Sequence, residues 1–79
     1  MIGYMKMSEN LISDFVSEDG NRNASVLVDP HHIVVRCREL NQHTKQYEEQ
    51  WVELFSDKSL HYAEDMAENY VMYIGKFKK

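Results

Sequence analysis

Cysteine, proline and glycine are nearly missing from this chain, with one, one and three copies among 79 residues. The lone thiol, Cys37, has no internal disulfide partner, so packing must hold the fold, and a reducing compartment such as the cytoplasm is expected. No glycine-rich phosphate loop is present. No apolar run reaches the eighteen or so residues that span a bilayer, and the N-terminus has no signal-peptide core, so neither a membrane-embedded nor an exported protein is expected. Positive charge is also scarce: nine basic residues face thirteen acidic ones, for a net charge of −4. That balance disfavours broad nucleic-acid binding, which draws most of its free energy from phosphate neutralisation. Repeats, linkers and low-complexity segments are absent. What the chain does have is a 43% hydrophobic share with five tyrosines, three phenylalanines and one tryptophan. These supply one folded domain over residues 1–79, with a thin core because so short a chain buries only about 60–65% of its unfolded surface.

The stretch that seats the rest is Asp57 to Gly75. At about 3.6 residues per turn, Leu60, Ala63, Ala67, Tyr70, Val71 and Ile74 fall on one arc, with Glu64, Asp65, Glu68 and Asn69 behind them. The spacing predicts a helix over about 58–74, started by Asp57 or Ser59 and ended by Gly75. Two alanines one turn apart let its axis approach a sheet closely. Earlier in the chain, Met1, Met5 and Met7 offer three possible starts. Ser8 then precedes Leu11, Ile12, Phe15 and Val16, whose spacing predicts a short helix over about 9–17. Residues 17–23 are dense in turn formers around Gly20 and read as a mobile surface loop. Strands follow over about 24–29, 33–40 and 46–55, broken by Asp29-Pro30 and by the polar stretch from Asn41 to Lys45. Ile33, Val35 and Cys37 share one strand face, Arg36 and Arg38 the other. The third strand carries apolar and polar groups on both faces, which a β-bulge or strong twist would reconcile. The expected fold is thus α+β: a three-stranded antiparallel meander packed by a C-terminal helix, with a short N-terminal helix, in the order α-β-β-β-α.

Chemistry-bearing residues are present without a constellation. His31, His32, His43, His61 and Cys37 show no zinc-type spacing, so they read as turn and surface histidines and no metal is expected. Cys37, alternating with Ile33 and Val35, reads as a buried small hydrophobe rather than a nucleophile. The adjacent carboxylates Glu48-Glu49 and Glu64-Asp65 lie on expected surface with no cleft-forming loop beside them. No catalytic residue and no cofactor is assigned, and the chain reads as a non-enzyme.

The element order, with Ser59, Ala63 and Ala67 in the last helix, resembles the double-stranded RNA-binding domain. That family opens its last helix with a serine and two lysines and carries alanines at four-residue spacing. Here Leu60, His61 and Glu64 stand in the basic region, so the resemblance implies a domain of that shape used for protein contact, with its grip on duplex phosphates lost. The stretch from Tyr62 to Val71 also resembles the closing helix of small tailed-bacteriophage proteins. This resemblance implies a compact acidic protein that binds and redirects a host protein.

Tyr62, Met66 and Tyr73 form a stripe between the buried arc and the acidic back of the last helix, a candidate contact surface because aromatics and methionine are enriched at interfaces. Its alternative role is to cover the margin of a small core. The expectation is a non-enzymatic interaction module, a homodimer or a binder of another protein, through this stripe or a sheet edge such as Ala24 to Asp29. Two alternatives stand beside it: weak RNA binding through Arg36, Arg38 and the C-terminal lysines, and mimicry of nucleic acid by Glu48, Glu49, Glu64, Asp65 and Glu68. For Arg36 and Arg38 the competing role is cross-strand pairing with Glu48.

Overall fold

The computed structural model describes residues 10–78. Four strands, β1 (Asn10–Val16), β2 (Arg22–Val28), β3 (His32–Asn41) and β4 (Gln46–Ser56), precede a single helix, α1 (Leu60–Val71), and a 3₁₀ turn over Gly75–Phe77. The strands pair antiparallel in chain order, so the sheet is a four-stranded meander. This corrects the expected α-β-β-β-α order: the fold is α+β, but the N-terminal helix and the three-stranded sheet give way to a fourth strand and one C-terminal helix. The double-stranded RNA-binding shape loses its first element by the same correction. Met1 to Met7 and Ser8 lie outside the described residues.

The reason lies in a bulge. Leu11 pairs with Leu27 and Ser13 with Val26, leaving Ile12 as an extra residue in β1. A bulge interrupts the two-residue alternation of a strand. The doublets Leu11-Ile12 and Phe15-Val16 therefore mimic helical spacing, although they belong to a strand whose Phe15 packs inward against the core. The β-branched Ile12 and Val16 fit the pleated surface well. Of the bulge or strong twist expected in the third predicted strand, a bulge is present: Cys37 pairs with Trp51 and Arg38 with Glu49, so Gln50 is the extra residue of β4. Of residues 17–23, expected to be a mobile loop, Arg22 and Asn23 open β2 and residues 17–21 close into a bonded turn. Ser17 N–H donates to Arg22 O at 2.9 Å, Arg22 N–H to Ser17 Oγ at 2.9 Å, and Asp19 Oδ1 accepts from Ser17 Oγ at 2.6 Å.

Helix α1 lies across one face of the sheet. Ala24 and Val26 of β2, Ile33, Val35 and Cys37 of β3, and Ala63, Met66, Ala67, Tyr70 and Val71 of α1 make the buried core. Ala63 and Ala67 are fully buried, as their spacing predicts, and bring the helix down onto Val26 and Val35, which are themselves fully buried. Each of these valines contributes about 1.5–3 kcal/mol by leaving water. Ser13 Oγ donates to Glu64 Oε2 at 2.7 Å, tying the edge strand to the helix.

The helix ends three residues before the predicted boundary. Ile74 N–H donates to Asn69 O at 2.9 Å and Tyr73 N–H to Tyr70 O at 3.3 Å, a Schellman closure whose left-handed residue is Tyr73, at φ 59°. Glycine usually holds that position, and a side chain there costs about 1–2 kcal/mol. Arg22 supplies the compensation. Its guanidinium lies 4.5 Å from the Tyr70 ring centre and 4.2 Å from that of Tyr73. Its Nη1 donates to Tyr70 O at 2.9 Å and to Phe77 O at 2.8 Å. One β2 side chain thus holds both the helix end and the 3₁₀ turn.

Candidate interaction surfaces

Among the described residues no helix lies over the other face of the sheet. Residues paired across strands share a face, so the register places Leu11, Leu27, Val34 and Leu54 in one continuous row across all four strands. The next row along the strands is Asp14, Ser25, Arg36 and Val52, and the one after it Val16, Asn23, Arg38 and Glu49. Leu11 and Leu54 are both 60% exposed, and Val16, Val52 and Tyr47 are exposed beside them on the same two outer strands. Val34, in the middle of the row, is 3% exposed because its neighbours close around it.

Between these apolar margins lies a bonded polar centre. Asp14 Oδ1 accepts from Asn23 Nδ2 at 2.8 Å and from Ser25 Oγ at 2.9 Å. Arg38 Nη1 donates to Asn23 Oδ1 at 2.9 Å and to Ser25 Oγ at 3.1 Å. Asn23 and Ser25 are buried under these longer side chains. Arg36 Nη1 meets Glu49 Oε2 at 2.9 Å. The bulge at Gln50 sets this partner, because it moves Glu49 rather than Glu48 onto the arginine face. A satisfied network of this kind fixes the positions of its members and presents an acid-neutral-basic sequence from β1 to β3.

The helix-margin residues fall in two places. Tyr62 is 66% exposed and lines a shallow hollow of about 320 Å³ with Met66, Glu53, Phe55, Lys76 and Phe77. Met66 itself is 9% exposed and belongs to the core. Tyr73 lies beyond the end of α1, where its hydroxyl donates to Asp19 Oδ2 at 2.7 Å across a second hollow of about 510 Å³ bounded by Val16, Val71 and Met72. The three side chains therefore do not make one stripe. The helix stops before Tyr73, and its left-handed backbone turns that ring toward Arg22.

Arg36 and Arg38 share the open face, whereas Lys76 stacks on Trp51, 4.8 Å from the ring centre, on the helix side of β4. The carboxylates divide as well: Glu49 is on the open face, Glu48 accepts from Asn41 Nδ2 at 3.0 Å, and Glu64, Asp65 and Glu68 lie along α1. His31 sits in the β2–β3 turn and His32 opens β3, both beside Asp29, whose carboxyl is held below its usual range by their backbone N–H groups. Among the described residues no group of three histidine, cysteine or acidic side chains converges to hold a metal. Cys37 is fully buried, and burial pushes its thiol up to about 11. No described helix is long and apolar enough to cross a membrane.

No protein-family model, curated protein or solved structure matches this chain. The open face is the surface that reading the sequence missed. Its signal was the alternation of Leu11 with the later strands, and the bulge at Ile12 hides it.

Proposed function

We propose that this chain is a non-enzymatic protein-interaction module that engages its partner through the open face of its sheet. The observation that carries the reading is the apolar row Leu11, Leu27, Val34 and Leu54, whose two outer members are 60% exposed. Exposed apolar groups on both outer strands supply contact area, and the bonded polar groups between them supply register, in an order that inverts the usual apolar centre and polar rim. RNA binding draws less support, because Arg36 and Arg38 are engaged with Glu49, Asn23 and Ser25 while Lys76 lies on the opposite side of the sheet. Nucleic-acid mimicry draws less for a similar reason, its carboxylates being spread over three surfaces. Tyr62 remains a secondary contact candidate at the helix margin.

The test is site-specific photocrosslinking in living cells, with a benzoylphenylalanine at position 54 and, separately, at position 68 on the exposed back of α1. Adducts to a polypeptide from position 54 and none from position 68 are expected. Adducts from position 68 alone, or from neither, would refute the reading.

A further inference from the structure

We infer that the occupant of the open face is a second copy of this chain, packed sheet to sheet about a two-fold axis that runs along the strands. This rests on the reading of that face as an interface and goes on to specify what covers it.

Three observations support a second copy. The first is area. The molecule is a slab of 37 × 30 × 16 Å, so the uncovered sheet is one of its two broad sides. Four strands at about 4.8 Å spacing and roughly 30 Å length present a footprint of about 600 Å² per copy. A pair therefore buries about 1,200 Å², the lower bound of a specific interface.

The second is where the apolar groups lie. Leu11 and Val16 stand on β1, and Tyr47, Val52 and Leu54 on β4, with a polar network between them that runs from Asp14 of β1 through β2 and β3 to Glu49 of β4. An isologous contact requires a surface that complements itself. An axis along the strands lays β1 of one copy over β4 of the other row by row, so Leu11 meets the partner's Leu54, while Val52 and Val16 fall over Asp14 and Glu49.

The third is charge. An axis along the rows would superpose each strand on its own counterpart, stacking Arg36 on Arg36 and Asp14 on Asp14, and like charges facing each other are costly. The axis along the strands places the arginines of β3 over Ser25 and Asn23 of β2 in the other copy, with Asp14 alongside. The acid-neutral-basic order of the face makes this the favourable orientation. Asp14, Asn23, Ser25, Arg36, Arg38 and Glu49 each hold at least one hydrogen bond within their own copy, so closure leaves none of these side chains wholly unpartnered.

Sedimentation equilibrium of the purified full chain between about 5 and 300 µM tests the inference. The wild type is expected to rise from the 9.4 kDa monomer mass toward twice that value. Leu54→Lys, at an exposed position, should weaken association at least tenfold, while Glu68→Lys on the exposed back of α1 should leave it unchanged. For the axis, an equimolar mixture of Leu11→Cys and Leu54→Cys chains is expected to form the mixed disulfide in preference to either homodisulfide. Three results would overturn the inference: a wild type that stays at the monomer mass, a dimer insensitive to Leu54→Lys, and homodisulfides in place of the mixed one. A strict monomer that still crosslinks from position 54 to another protein would refute the second copy and leave the interaction reading standing.

Discussion

Replacing Arg22 by alanine removes the side chain on which the C-terminal part of the fold converges. The guanidinium gives hydrogen bonds of 2.9 and 2.8 Å to Tyr70 O and Phe77 O and lies over two tyrosine rings. Hydrogen bonds to a charged group contribute about 1.5–3 kcal/mol each. Stacking on the partly buried rings adds about 0.5–2 kcal/mol. Against this stands the Arg22 Nε, which is buried without a hydrogen-bond partner among the described residues and lies 3.5 Å from Glu39 Oε2, outside bonding geometry. Its desolvation costs about 1–3 kcal/mol, recovered when the side chain is removed. The balance is a loss of about 3 kcal/mol. A chain of this length holds roughly 4–12 kcal/mol in all, so the variant should still fold in the cold and melt roughly 12–24 °C lower. Urea unfolding followed by circular dichroism measures the loss, and Trp51 emission reports the site directly because Phe77 packs edge-on against that ring at 5.9 Å. A red shift of Trp51 emission under native conditions should accompany the stability loss. Arg22→Lys keeps the charge but not the planar fork, and should recover less than half of the loss. A loss below about 1 kcal/mol with unchanged Trp51 emission would refute the assignment of Arg22 as the clamp.

Two further outcomes follow from the core. Ala67→Leu forces a larger side chain between the fully buried faces of α1 and the sheet and should cost about 1–3 kcal/mol in urea unfolding, whereas Glu68→Ala on the exposed back should change stability by less than about 0.5 kcal/mol. Alkaline pH should also destabilise the fold. Burial raises Cys37 from 9.0 to about 11 and Tyr70 from 10.0 to about 12. Both groups are held neutral in the fold, so their contribution is intact below pH 9 and is lost as the unfolded chain ionises first, at up to about 1.4 kcal/mol per pH unit for each group. Stability measured from pH 8 to 11 should fall from pH 9 in the wild type and only from pH 10 in Cys37→Ala. A flat profile to pH 11 would contradict the burial of both groups.

Much of the helix-side architecture was legible in the sequence because its signals are local. The alanine spacing that seats α1 and the Ile33, Val35, Cys37 alternation depend only on period, and both hold in the structure. The strand breaks at Asp29-Pro30 and at Asn41 to Lys45 are legible for the same reason: Asn41 Oδ1 accepts from His43 and Thr44 N–H groups, and Lys45 takes φ 63°. What failed depended on partners distant in sequence. Leu11 to Val16 fits either a helix or a bulged strand, and only pairing with β2 decides between them. Tyr73 leaves the expected line with Tyr62 and Met66 by adopting a glycine-like conformation, which Asp19 and Arg22, more than fifty residues earlier, hold in place. The open face followed the same fate, since a surface made from four strands cannot be read once one of them has been taken for a helix.

The two bulges bear on polymerisation. A four-stranded meander has two outer edges, and an edge with regular free N–H and C=O groups can recruit the edge of the next molecule. Were β1 of one copy to join β4 of another, the contact would be head-to-tail and non-closing, and would grow into a ribbon. Both outer strands carry an extra residue, Ile12 in β1 and Gln50 in β4, whereas the central β2–β3 pair runs without interruption from Arg22–Glu39 to Val28–Ile33. The irregularities sit only where ribbon growth would begin. A bulged outer strand is a poorer template for strand addition than a regular one, which works against ribbon growth from either edge.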